Sequence, residues 1–356
     1  MLCLAKLTVI ARCSRQCHEQ LRLAREPARS VPYGVRVPPS RGCDNATIVW
    51  LTTPPTERNV DDSAPLITLK QAACALKHSH SHVREDILLL PTLLLHAAAL
   101  GTQCRSRSAA RSFVEIGALD GVSFSNTYML ERCFGWYGLL VEASPANYRK
   151  LLRSERKARK VHSAVCAAAP GATVTFMSGA DLGPFAAQVD SISAAKLAKI
   201  PSKLRGHSGV VNVSCKPLTA IQRRAGVPSA AFLSLDVEGA EDKVIAESDP
   251  AAFALIMAES MRGDQSDAKD QRVRKAVHRA GLRTARHLRV SGSEIYVQPH
   301  VVEVFVKAEW LAERAFLFYP TAEQLVSIVR GAGRTVLDAS RRCNDAASLC
   351  VGAPDI

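Results

Sequence analysis

Ser112-Phe113-Val114-Glu115-Ile116-Gly117-Ala118-Leu119-Asp120-Gly121 is an apolar run that takes in one acid and ends in two glycines four positions apart. A short run of this kind, bounded by turn formers, reads as a strand entering a tight turn. Backbone N–H groups and a carboxylate then lie where a nucleoside-bearing ligand docks. The spacing Glu115-x-Gly117-x-x-x-Gly121 is not the G-x-G-x-x-G of dinucleotide enzymes. An ordinary strand-to-helix turn carries the same residues, so the surrounding chain has to decide between the two readings.

Outward from this run the pattern alternates, which marks an α/β sheet. Strands are expected at residues 113–118, 138–142, 161–167, 231–237 and 253–259. Helices are expected at 126–134, 145–152 (opened by Pro145), 218–225, 240–247 and 271–280, the last stopped by Gly281. Residues 284–290 and 294–298 read as a closing hairpin through Ser291-Gly292-Ser293. The middle is variable, with a short extra strand at 174–177 and mostly loop over 181–210 apart from a helix near 193–200. Two apolar-striped helices at 68–76 and 83–100 precede the sheet. Residues 1–60 are Arg-rich and carry Pro27, Pro32, Pro38, Pro39, Pro54 and Pro55. They read as a disordered or targeting N-terminal extension, because prolines at that density break helices and ladders. Residues 61–300 form the main domain, with a core at 110–298. Residues 301–356 are a C-terminal extension with an amphipathic helix near 322–330.

With 356 residues and 47% hydrophobic content the chain can bury a sizeable core. No stretch approaches the roughly 20 apolar residues that span a bilayer, and the best one, 87–100, is broken by Pro91 and His96. A soluble protein, cytoplasmic or organellar, is expected. The net charge of +13 raises nucleic acid as a partner. However, the basic runs Arg153, Arg156, Lys157, Arg159, Lys160 and Arg272, Arg274, Lys275, Arg279 fall on amphipathic helices whose charged faces are expected to be solvated. No aromatic-interleaved basic strand accompanies them, so nucleic acid is not the expected partner. The eleven cysteines are irregularly spaced. Cys13, Cys17 and His18 lack a second pair at zinc-site spacing, so no metal site is expected. Cys133 and Cys166 read as free core thiols, and Cys343 and Cys350 can pair if the compartment oxidises them. Asn45-Ala46-Thr47 and Asn212-Val213-Ser214 are glycosylation sequons that matter only in a secreted chain.

Ligands of open α/β sheets bind beyond the carboxyl ends of the strands. The second strand ends at Glu142, placed to accept hydrogen bonds from a ribose diol. The fourth runs into Asp236-Val237-Glu238-Gly239-Ala240-Glu241, where clustered carboxylates repel one another unless a cation answers them. Glu241 also reads as a first-turn helix acid. Glu259 closes the fifth strand and faces the same cleft from the acceptor side.

Four segments in this order, Arg84–Leu89, Phe113–Thr127, Gly135–Pro145 and Phe232–Glu241, resemble the FkbM-type methyltransferases. The resemblance spans residues 83–297, and its most specific strings are Ser125-Asn126-Thr127 and Asp236-Val237-Glu238-Gly239. It implies the class I methyltransferase Rossmann-like fold, a mostly parallel sheet of about seven strands with a closing antiparallel hairpin and flanking helices. It also implies S-adenosylmethionine as cofactor and O-methylation of a hydroxyl on a small molecule or carbohydrate acceptor. Carried over, Glu115, Gly117, Asp120 and Gly121 form the cofactor loop, and the acid faces the cofactor's ammonium. Ser125, Asn126 and Thr127 open the next helix near the methionine carboxylate. Glu142 holds the ribose, and Asp236 and Glu238 sit beneath the transferred methyl, Asp236 as base with Glu238 as its partner. Two departures bear on substrate positioning: His80-Ser81-His82-Val83-Arg84 replaces the family's glutamine-containing approach, and Ser163 stands where asparagine is common. Two rivals stay open, a catalytically silent protein of the same fold acting in trafficking or protein interaction, and a nucleic-acid methyltransferase. The Asn-Pro-Pro-aromatic motif of base-methylating enzymes is absent from the chain.

Overall fold

The structure is a computed structural model that describes residues 33–38, 47–51, 66–103, 110–167, 169, 171–178, 186–189, 209–260, 268–288, 290, 292–306 and 320–343. Strands β1 (Tyr33–Val37) and β2 (Thr47–Leu51) precede helices α1 (Leu69–Lys77) and α2 (Glu85–Gln103). Then come β3 (Ser112–Ile116), α3 (Tyr128–Phe134), β4 (Tyr137–Glu142), α4 (Pro145–Arg153), β5 (Arg159–His162), β6 (Ala164–Val165), β7 (Thr173–Ser178), β8 (Ala187–Gln188) and β9 (Gly209–Lys216). The rest is α5 (Leu218–Ala225), β10 (Ala230–Leu235), α6 (Glu241–Ala246), β11 (Phe253–Glu259), α7 (Ala268–Arg279), β12 (Arg283–Thr284), β13 (Ser293–Val297), β14 (Glu303–Val306) and α8 (Ala322–Cys343).

The main sheet has seven strands in the order β12-β13-β11-β10-β3-β4-β5. Its five-strand body is parallel, while β13 runs antiparallel to β11 and β12 antiparallel to β13. This is the sheet expected from the sequence. Every residue of β3 and β10 is buried, as central parallel strands covered on both faces require. Side chains alternate between two cores. Phe113, Leu140, Phe232 and Leu255 pack with residues of α1, α2, α3 and α8. Val114, Ile116, Leu139, Val141, Leu233 and Ile256 pack with α5, α6 and α7. Helix starts follow local chemistry: Ser144 accepts the Asn147 N–H ahead of Pro145, and Thr68 with Gln71 forms a capping box at α1. Gly135, at φ 66°, ends α3. The closely adjoining strands β3 and β4 need another glycine near their amino ends, because a Cβ on Gly138 would lie 2.4 Å from the Phe113 ring.

Four features differ from the sequence reading. First, β1 and β2, within the expected extension, form a three-stranded sheet with β14 from the expected tail, in the order β14-β1-β2. The prolines flank these strands instead of interrupting them. Second, the third strand breaks at Ser163, and β6 leaves the main sheet to pair with β9 in a four-stranded sheet, β6-β9-β7-β8; β9 begins inside the stretch read as loop. Third, Cys133 and Cys166 are not free thiols. Cys74 on α1 pairs with Cys133 on α3 (Cα–Cα 5.7 Å), and Cys166 pairs with Cys215 on β9 (Cα–Cα 5.5 Å). Separations of 59 and 49 residues hid both pairings. Fourth, Arg156 leaves α4 for the interior, with 5% of its surface exposed, where a solvated face was expected. Residues 1–32, the sequon at Asn45, Cys13, Cys17 and His18, the helix near 193–200 and Cys350 lie outside the described residues. Among the described residues no helix is long and apolar enough to cross a membrane.

Candidate active site

A pocket of about 460 Å³ opens beyond the carboxyl ends of β3, β4 and β10, the switch-point position of an open α/β sheet. Gly117 fixes its floor. The backbone there has φ +83°, and a Cβ would lie 1.7 Å from the Asp236 carbonyl oxygen. Gly117 and Ala118 donate their N–H groups to Val141 O, and Asp236 donates its N–H to Ile116 O. Three strand ends are thus stitched together at one residue that tolerates no side chain. Leu119, Phe124 and Glu238 also line the pocket, and each holds a positive φ (51°, 60° and 63°). Left-handed conformations at residues other than glycine are costly and gather where surrounding structure imposes them.

Glu115 ends inside the protein, 4% exposed. Its carboxylate accepts from the Ser125 hydroxyl at 2.8 Å, the Asn126 N–H at 2.9 Å and the Thr127 hydroxyl at 2.6 Å. The Arg156 guanidinium lies 3.7 Å away and donates to Gly121 O, Ser125 Oγ, Thr127 Oγ1 and Glu131 Oε2. It also lies over the Phe113 and Tyr128 rings. The Ser125-Asn126-Thr127 string therefore serves to fasten the loop to the end of β3. Asn126 reaches across the sheet to Ser234 Oγ at 3.1 Å, while its Oδ1 is buried with no hydrogen-bond partner and Asn126 lines the pocket. Asp120 caps its own turn, accepting from Val122 N–H, Ser123 N–H and the Ser123 hydroxyl. Gly121 faces away from the pocket, where a Cβ would meet Leu151 at 2.6 Å.

Glu142 closes the opposite wall. Its carboxylate accepts from Leu119 N–H at 2.8 Å and Ser144 N–H at 2.7 Å. Burial pushes its pKa up to about 7, against the lowering effect of those N–H groups and of the Asn147 amide. A carboxyl poised there exchanges readily between accepting and donating hydrogen bonds.

At the β10 turn the repulsion expected among the acids is answered from inside the protein. Glu241 is fully buried, accepts the Val237 and Gly239 N–H groups, and pairs with Lys269 on α7 at 2.7 Å. Burial lowers the Lys269 pKa, but Glu241, Glu259 and Asp270 outweigh it and hold the ammonium above its usual value. Oxygens of Asp236, Glu241 and Glu259 come within 4.8 Å of one another, a grouping that the sequence reading, which expected no metal site, did not foresee. Asp236 is exposed, Glu238 is half-buried, and both line the pocket with Glu259.

The pocket thus brings together Glu115, Gly117, Ser125, Asn126, Glu142, Asp236 and Glu238. It leaves Asp120, Gly121 and Thr127 behind the wall, shaping the loop. Sequence reasoning missed Arg156, Glu85, Phe124 and Ser234 as site residues, and named His82 only within a departure that bears on substrate positioning. His82 packs edge-on against Phe124 at the rim, and Ser163 lines the pocket while donating to Ala164 O. No spacing rule singles out Arg156, because its hydrogen-bond partners lie 25 to 35 residues away. A second hollow, over α7, is an open surface of Gln271, Arg274, Lys275, His278 and Arg279 with none of this convergence.

Residues 115–283 match the family model described as the Methyltransferase FkbM domain. That segment carries the pocket from Glu115 to Glu259, so this part of the chain is similar to FkbM methyltransferase domains. No curated protein matches the chain.

Proposed function

We propose that the pocket binds S-adenosylmethionine and that the domain transfers the cofactor's methyl group to a hydroxyl of a small molecule or carbohydrate. The observation that carries this reading is Asn126 Oδ1, a buried acceptor without a partner on the pocket wall. An ammonium-bearing ligand would satisfy it. The rest of the wall fits the same cofactor. Gly117 leaves the β3 turn bare of side chain, and Glu142 stands at the end of β4, where a ribose diol can donate to it.

When bound, the cofactor supplies a methyl carbon made electrophilic by the adjoining sulfonium. The chain's own part is chiefly positioning. Arg156 and Glu115 hold the 117–127 loop in place before any ligand arrives, with Glu115 acting as its anchor and not as an ammonium contact. Glu142 orients the ribose end. Asp236, on the exposed side of the pocket, accepts the proton of the acceptor hydroxyl, with Glu238 beside it. The six pocket carboxylates (Glu85, Glu115, Glu142, Asp236, Glu238 and Glu259) suit a neutral acceptor better than an anionic one.

The test incubates the purified chain with methyl-labelled S-adenosylmethionine and fractionated extract of its source cells. Label should appear in a low-molecular-mass or carbohydrate fraction and resist mild base, as an ether does. Label in no fraction removes the enzymatic reading, and label in nucleic acid replaces the acceptor.

A further inference from the structure

The small sheet beside the pocket carries two features that methyl transfer does not use. On its inner face Cys215 is joined to Cys166, and Val213 and Phe176 pack beside the bridge. On its outer face β9 presents alternate exposed residues, Val210, Asn212, Ser214 and Lys216, as the period of a half-solvated strand requires. Asn212-Val213-Ser214 is a sequon with no proline at its centre. Register places Asn212 opposite Thr175 of β7, which is exposed as well, and Thr175 Oγ1 donates to Asn212 Oδ1 at 3.4 Å. Two positions along the same face, Val210 is 67% exposed, the most open large apolar side chain among the described residues.

Two disulfides joining distant segments belong to a chain folded where thiols are oxidised. In such a compartment an exposed sequon on a polar strand face is a substrate. We propose that the chain matures in an oxidising, glycosylating lumen and that Asn212 carries an N-linked glycan. The glycan comes from an oligosaccharide on a polyprenyl diphosphate. The bond from its anomeric carbon to the diphosphate oxygen breaks, a bond from that carbon to Asn212 Nδ2 forms, and the amide proton leaves as the diphosphate departs. No electrons change hands in that step. Each pair of thiols, on closing to a disulfide, passes two electrons and two protons to the disulfide of a thiol–disulfide oxidoreductase in the same compartment. The first sugar stands over the β9 face and covers Val210, so the exposed valine has a partner in the mature protein.

The test tags the full chain in the cells that make it, purifies it, and compares its mobility before and after peptide-N-glycosidase. The wild type should lose at least one glycan's mass, with Asn212 converted to Asp in the released peptide. Asn212→Gln and Ser214→Ala should each abolish that increment, whatever happens at Asn45. Ser214→Ala keeps the asparagine and so reads the same site if Asn212→Gln folds poorly. Without reductant, Cys74, Cys133, Cys166 and Cys215 should resist alkylation. A chain that shows no shift, or a shift that both variants leave undiminished, overturns the proposal, as does free alkylation of Cys166 and Cys215. Asn212 lies outside the pocket, so the glycan and methyl transfer can fail independently.

Discussion

Glu115 and Asp236 stand at the ends of neighbouring parallel strands, with Glu115 registered against Ser234 and Ile116 against Leu235, yet their carboxylates meet different surroundings. Glu115 is enclosed, its oxygens taken up by two hydroxyls, a backbone N–H and the nearby Arg156. Asp236 is exposed at the pocket's edge, on a turn whose next acid, Glu238, sits at φ 63°. Save for Asn126 Oδ1, the Glu115 side of the pocket has completed its own hydrogen bonding before a ligand arrives. The other keeps its polar atoms accessible. A methyl-transfer site needs both, because the donor has to be held rigidly while the acceptor must enter and give up a proton.

Mutations sharpen the contrast, starting with the enclosed side. Arg156→Met should be the most damaging, since it leaves the buried Glu115 carboxylate and the half-buried Glu131 without their cation; a loss of about 3–5 kcal/mol is expected in denaturant melts. Arg156→Lys should recover only part of it, because an ammonium cannot reproduce the guanidinium fork. Gly117→Ala comes next, driving a Cβ into the Asp236 carbonyl at an unfavourable φ. It should cost roughly 3 kcal/mol and remove cofactor binding even in the fraction that folds. If either variant melts like the wild type, the enclosed side is not the anchor described.

Glu142 tests the β4 wall of the pocket through pH. Its folded pKa of about 7 lies above the ordinary 4.5, so the folded state binds the extra proton between those values. Its contribution to stability is greatest below about pH 4.5, declines through the window and is flat above about 7, a span on the order of 3 kcal/mol. Asp86, raised to about 6 by burial, slopes the same way, and His96, lowered to about 3 by burial, slopes oppositely. The informative quantity is therefore the difference between wild type and Glu142→Gln. The variant's melting temperature should fall less than the wild type's as pH rises from 5 to 7, and equal slopes would remove Glu142 from the pocket's titration. On the open side, Asp236→Asn should move stability by no more than about 0.5 kcal/mol while lowering kcat by roughly 10²–10⁴. A large stability loss there would make Asp236 another structural carboxylate.

The part of this organisation legible in sequence was the part governed by local pattern. Apolar runs located the five parallel strands, and glycine in a turn located the pocket floor at Gly117. Which way each carboxylate would be spent was not legible, since Glu115 and Asp236 both fall near the carboxyl ends of similar apolar strands. Arg156 decided it, and Arg156 lies in a basic run indistinguishable from a solvated face. The strands β1 and β9 were hidden for a related reason, because both depend on partners far along the chain, β14 and β7. The disulfides were hidden by the same distance, closing loops that no Cys spacing announces.

The central claim is that the completed side is a cofactor cradle ready before the acceptor arrives. Calorimetric titration of S-adenosylmethionine into the wild type and Asp236→Asn, with no acceptor present, tests it most directly. Saturable one-to-one heat of similar affinity in both proteins is the predicted result. No heat from the wild type at millimolar cofactor, or binding that disappears with the Asp236 side chain, would contradict it.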